Sequence, residues 1–182
     1  MTRSRAYHHG DLRRALLDAA VEAMAESGPA ALSLRDLARR AGVSHAAPAH
    51  HFGDKAGLLT ALAAQGFDLL TDALRGAGDD LAETGVAYVG FAVRHRAHFE
   101  VMFRPDLYRA DDAEVTAART RAGEVLRTGV ARHTGRSPEV DSLAAWSIVH
   151  GFATLWLAGA LPTRVGPDPE AAARTVISRL FA

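Results

Sequence analysis

Ser33-Leu34-Arg35-Asp36-Leu37-Ala38-Arg39-Arg40-Ala41-Gly42-Val43-Ser44-His45-Ala46-Ala47-Pro48-Ala49-His50-His51-Phe52 is the stretch whose reading decides the fold. Leu34 and Leu37 share one face at helical spacing, and Ser33 with Asp36 has the spacing of a capping box, in which each side chain satisfies the other's orphaned backbone N–H. Gly42 can take the left-handed conformation that ends a helix sharply, and Ser44 can cap the next one. Two steeply crossed helices need a small residue where they touch, a turn glycine and an apolar residue to pin the second helix. Ala38, Gly42 and Val43 supply these in order, leaving Arg35, Arg39 and Arg40 free for solvent or phosphate. The segment is a helix-turn-helix, although an ordinary helical hairpin uses the same turn chemistry.

Upstream, Leu12, Leu16, Ala20 and Met24 recur every fourth residue, which predicts a helix over 11–27 stopped by Ser27-Gly28-Pro29. Downstream, Asp54 can cap a longer helix carrying Leu58, Leu59, Leu62, Phe67, Leu70 and Leu74 up to Gly76. Further helices are expected over 81–95, around Phe99, from about 111 to 132, over 138–159 and over 169–181. No segment alternates like a strand and none repeats, so the fold class is all-α. Its expected parts are a basic arm (1–9), the helix-turn-helix module (10–55) and a second helical domain (56–182).

With no cysteine among 182 residues, disulfides, thiolate metal sites and thiol nucleophiles are excluded. Apolar residues at 48% are enough for a packed core. No apolar run approaches the roughly 18 residues of a membrane span, and the start lacks a signal-peptide core, so the expected address is the cytoplasm, with no membrane partner. The net charge of zero hides a bias. Residues 1–55 carry 8 Lys or Arg against 6 acids, together with five of the nine histidines.

Read as a unit, Ala19-Ala20, Ser33 to Ala38, Gly42-Val43-Ser44, His51-Phe52, Lys55 and Leu58-Leu59 are similar to the TetR family of one-component bacterial repressors. Trp146, His150 and Gly151 resemble a C-terminal subgroup with a Trp-His-Gly signature. The resemblance implies a homodimer on a palindromic double-stranded DNA operator and a repressor released by a small molecule, with 56–182 as its effector-binding and dimerisation domain. It places the helix from Ser44 to Phe52 in the major groove, with Ser33 and Lys55, the chain's only lysine, on phosphates and Arg35 as a further DNA-binding candidate. The family usually carries a threonine, a bulky aliphatic residue and a tyrosine where this chain has Ala47, Pro48 and Ala49. Pro48 disfavours helix at Ala47, which predicts a distorted first turn or a late start. Base reading is then expected mostly from His45, His50 and the small faces of Ala46 and Ala47, with Ser44 and His51 as further DNA-binding candidates and the arm residues Arg3, Arg5 and Tyr7 adding affinity.

The helix after Trp146 is apolar nearly all round, so Ile148, Val149, Phe152, Leu155 and Trp156 are expected to face a partner subunit as well as a core. Phe67, Tyr88, Phe91, Met102, Phe103, Trp146 and His150 are candidates for a mostly apolar effector pocket, with Tyr88 and His150 as its polar handles. No cofactor and no metal are expected, although His95 and His98, with Glu100 and Asp106 nearby, have a spacing that one metal could use. A helical enzyme with His150 as base is the rival reading, but no nucleophile elbow, phosphate loop or paired-carboxylate motif supports it. A helical interaction module with a vestigial helix-turn-helix is the other.

Overall fold

A computed structural model describes residues 9–134 and 138–180. Among the described residues there are nine α-helices and no strand, as the periodicity predicts. They are α1 (His9–Ser27), α2 (Leu34–Arg40), α3 (Ala47–Phe52), α4 (Lys55–Gly76), α5 (Leu81–Arg94), α6 (Arg96–Met102), α7 (Ala113–Thr134), α8 (Pro138–Leu157) and α9 (Pro169–Leu180). The arm residues Arg3, Arg5 and Tyr7 lie outside the described residues.

Four aspartates start four of these helices by accepting otherwise orphaned N–H groups. Asp54 accepts from Gly57, Asp80 from Ala82 and Glu83, Asp112 from Glu114 and Val115, and Asp168 from Glu170 and Ala171. The core begins in the head with Leu16, Ala20, Leu37 and Phe52 and continues without a break along α4. There Leu58, Leu59 and Leu62 face the head, and Phe67, Leu70 and Leu74 face the body. At 22 residues, or about 33 Å of rise, α4 is the rod that joins the two. In the body α4 packs chiefly on α7, and α5 on α8 and α9. The buried threonines 60, 71 and 84 return their hydroxyls to carbonyls one turn back, so they add no unsatisfied polar group.

Candidate DNA-binding face and effector cavity

The α2–α3 turn closes as the residues predict. Gly42 has φ +65°, and the Val43 N–H donates to the Ala38 carbonyl at 3.0 Å, with Leu37 and Ala38 fully buried where the helices meet. The capping box does not form. Ser33 stands at the N-cap of α2 without a side-chain bond, because the Asp36 carboxylate is taken by Arg39 (2.6 Å) and Arg40 (2.7 Å). Arg40 also forks onto both oxygens of Glu26 at 2.9 and 2.7 Å, tying α2 to α1. The Arg40 guanidinium holds both carboxyls below their usual range. Arg39 and Arg40 are therefore engaged within the head, contrary to expectation, whereas Arg35 is exposed with no ion pair among the described residues.

Ser44 caps nothing either, since α3 starts late, at Ala47, with Ala46 at its N-cap. Pro48 then falls in the first turn, where its missing N–H would have had no helical partner anyway. Its ring is buried one turn before Phe52, filling the core position that a bulky aliphatic residue could take. What α3 and its approach present to solvent is Ser44, His45, Ala46, Ala49 and His50, with Ala47 and His51 half-buried. Ser33 is exposed as well. The Lys55 ammonium donates to the Ala30 carbonyl at 2.8 Å, bracing the turn between α1 and α2 from the start of α4. Nothing in the sequence spacing signals that bond, which joins residues 25 apart.

In the body, α4 to α9 surround a cavity of about 780 Å³. Of the residues expected there, Phe67, Tyr88, Met102, Phe103 and Trp146 line it. Phe91 does not: it is fully buried, stacked on His95, with centroids 5.4 Å apart. His150 does not line the cavity either: it stands behind the lining residues Phe103, Trp146 and Tyr88, and the Tyr88 hydroxyl lies 2.9 Å from its Nδ1. The Trp146 indole N–H donates to the same hydroxyl at 3.2 Å. Burial lowers the proton affinity of the His150 imidazole and raises that of the Tyr88 phenol, so both are neutral near pH 7.

The last two helices divide their apolar residues between two faces. Val149 and Phe152, expected at a subunit interface, are buried in the chain's own core, while Ile148 and Trp156 are half-buried and Leu155 is 47% exposed. Among the described residues the exposed large hydrophobics are Val140, Leu143, Leu155 and Val176, all on α8 and α9. Sequence reasoning named Leu155 alone of these. No group of three or more histidines and acids able to hold a metal occurs among the described residues, and none of their helices is long and apolar enough to cross a membrane.

A helix-turn-helix head carried on a helical body with an apolar cavity is the architecture of a class of DNA-binding regulators. Residues 16–62 match the bacterial regulatory proteins of the tetR family, and residues 81–180 match the tetracyclin repressor-like C-terminal domain. The chain belongs to the TetR family and is a DNA-binding transcriptional regulator. Among solved structures it is similar to a protein of unknown function from Rhodococcus sp. RHA1, at 34% identity and a TM-score of 0.81 over 98% of this chain and 97% of that one. Two others share the fold. PfmR of Thermus thermophilus, a TetR family transcriptional regulator, is 24% identical with a TM-score of 0.66 over 90% of this chain and 94% of its own. NalD of Pseudomonas aeruginosa, the secondary repressor of the MexAB-OprM multidrug efflux pump, is 24% identical with a TM-score of 0.67 over 96% of each chain. No curated protein matches the sequence.

Proposed function

We propose that the chain is a homodimeric cytoplasmic repressor that holds a palindromic operator through α3 and releases it when a small, mostly apolar molecule fills the body cavity. The observation that carries this reading is the continuity of α4. Phe67, Leu70 and Leu74 form a wall of the cavity, and the same helix begins three residues after Phe52, the last residue of α3. A ligand that favours one setting of α4 thereby favours one placement of the head, and coupling needs only that difference in affinity. We likewise propose a head over 10–55 and a body over 56–182, with α4 running from the boundary into the body and its first turns packed on the head.

On DNA, His45, Ala46, Ala47, His50 and His51 read bases while Ser33, Arg35, Ser44 and Lys55 hold phosphates, with Arg3 and Arg5 of the arm adding backbone or minor-groove contacts. Repression through two heads requires a dimer whose recognition helices lie about 34 Å apart. The exposed apolar stripe of α8 and α9 is suited to that contact. Leu143, Ser147, Gly151 and Leu155 recur every fourth residue along it, and a Cβ at Gly151 would meet open space, so a partner helix can approach closely. In this arrangement the Trp-His-Gly subgroup signature has a physical sense: Trp146 and His150 brace Tyr88 in the cavity wall and Gly151 faces the partner.

The test is a fluorescence-anisotropy titration against the DNA flanking the protein's own gene, repeated over a salt series beside an unrelated duplex. Palindrome-dependent binding that weakens steeply with salt is expected. Equal, weak binding to both duplexes would favour the interaction-module reading instead.

A further inference from the structure

No residue from Ser44 to Gly53 is an arginine, a lysine, an asparagine, a glutamine or an acid, so the segment lacks the side chains that pair most strongly with base edges. Its exposed hydrogen-bonding side chains are Ser44, His45 and His50, with His51 half-buried.

Two anchors decide what α3 turns outward. Pro48 and Phe52, one turn apart, are buried and fix one side of the helix against the core. Ala46, Ala49 and His50, spaced three and four apart, share the other side and are all exposed, with Ala47 half-buried between the two sides. The outer face of α3 is thus two methyl groups and one imidazole. An alanine keeps its methyl close to the helix backbone, so α3 can lie deep in a groove with nothing longer than the imidazole to hold it off. A methyl group cannot hydrogen-bond, and it tells one base from another only through an apolar group on the base. In the major groove that group is the C5 methyl of thymine, which adenine, guanine and cytosine lack. Phosphate charge cannot supply the discrimination, because it is the same for every sequence.

We propose that Ala46 and Ala49 read thymine methyl groups, and that each operator half-site carries thymines where α3 meets the major groove. This rests on the reading of α3 as the recognition helix and adds to it the base selected and the chemical group that selects it. Each methyl contact brought out of water is worth about a fourfold change in affinity, the effect of burying one CH₂-sized group, so two contacts multiply to about 15-fold per half-site.

The test uses duplexes that the protein selects from a random pool, prepared once with thymine and once with deoxyuridine in its place. The exchange removes the C5 methyls and leaves base pairing and phosphate charge as they were. Affinities are read by fluorescence anisotropy beside an unrelated duplex prepared both ways. Uracil is expected to weaken the selected duplex about 15-fold per half-site and to leave the unrelated one unchanged. Ala46 is the N-cap of α3, a position where glycine is well tolerated, so Ala46→Gly keeps the helix. In that variant the uracil penalty should shrink to about fourfold per half-site, the share of the remaining contact. In the Ala46→Gly, Ala49→Gly double variant it should vanish, while the salt dependence, set by phosphate contacts, stays that of the parent. Selected half-sites without thymine, or a uracil penalty as large in Ala46→Gly as in the parent, would each overturn the proposal. Sequence-selective binding that is indifferent to uracil would overturn it and leave the DNA-binding reading standing, whereas failure to select any duplex would remove both.

Discussion

The Arg109 guanidinium grips Asp54 across 55 positions of sequence, with its Nη2 donating to the two carboxylate oxygens at 3.0 and 2.9 Å. Asp54 is also the N-cap of α4, accepting from the Gly57 N–H at 2.8 Å, and the backbone N–H of Arg109 donates to Thr60 Oγ1 at 3.0 Å. Phe103, Pro105 and Tyr108, just before Arg109, line the cavity. One short loop thus touches both the cavity and the corner between α3 and α4, a second connection between them besides α4 itself.

Removing the latch separates coupling from stability. Because the pair is about half exposed, Arg109→Ala should change unfolding stability by less than about 1 kcal/mol. Asp54→Ala, which also loses the cap, should cost about 1–2 kcal/mol. For Arg109→Ala the expected signature is a few-fold loss of operator affinity with a nearly unchanged melting temperature, read by anisotropy and by thermal unfolding. Unchanged affinity would show that the latch does not position the head.

Gly57 is required by close approach. A Cβ at this position would lie 1.9 Å from the Phe52 carbonyl oxygen, a backbone atom that cannot step aside. Gly57→Ala must push the end of α3 away from the start of α4, at a cost in the usual range for overpacking, about 1–3 kcal/mol. Operator affinity should fall more than tenfold while the far-ultraviolet helix signal is kept. A variant that binds DNA like the parent would mean that the corner relaxes without moving α3.

How much of this was legible in the sequence depends on the range of the interaction. Gly42, Asp54, Pro138 and Pro169 mark helix ends through chemistry within a few residues, and the observed ends fall there. Ser33 and Ser44 carry the same local signal, yet neither caps. The arginines at positions 39 and 40 compete for Asp36, and Pro48 is best placed in the first turn of a helix that starts at Ala47. Arg109 to Asp54, Arg40 to Glu26 and Lys55 to Ala30 are tertiary bonds without a sequence period, so no spacing could announce them. Phe91 and Phe103 are both aromatic residues near a helix end, and only packing decides that Phe103 lines the cavity and Phe91 does not. On α8, apolar all round, hydrophobicity alone could not assign Phe152 to the core and Leu155 to the outside.

On DNA, Arg35 and Lys55 should act through phosphate charge, so each alanine variant is expected to weaken specific and unrelated duplexes alike and to lower the slope of log K against log salt by about one. Arg35→Ala is the cleaner of the two, because Lys55→Ala also loses the bond to Ala30 and should lower the melting temperature. A salt slope unchanged in both would remove these residues from the interface.

The α8–α9 stripe predicts the oligomeric state. Val140→Arg with Leu155→Arg replaces side chains that are 66% and 47% exposed in the single chain, so the fold of the subunit should tolerate both. Light scattering coupled to size exclusion should show a dimer for the parent and a monomer for the variant, with operator affinity lost along with the dimer. A variant that stays dimeric would move the interface elsewhere.

Stability should also fall with acid, chiefly through His98. This residue of α6 is 5% exposed. Its Nε2 lies 3.1 Å from Gln65 Oε1 and its Nδ1 is buried without a partner, so the neutral imidazole donates from Nε2. Burial, with repulsion from His95 next and a smaller opposing attraction from Asp18, pushes its pKa down to about 4 from an ordinary value of 6.5. Below pH 6.5 the unfolded chain takes up the proton first. The stability is fully present above that pH, is lost as pH falls towards 4 and does not change further below it. The loss over that window amounts to about 3 kcal/mol at most. Thermal unfolding from pH 7.5 to 4.5 should therefore fall more steeply for the parent than for a His98→Leu, Gln65→Leu variant, in which neither partner is left unpaired. The remaining slope is expected from His95 and His150, both also shifted down by burial. Superimposable slopes would mean that His98 reaches solvent before the chain unfolds, and that the contact of α6 with α4 opens locally in acid.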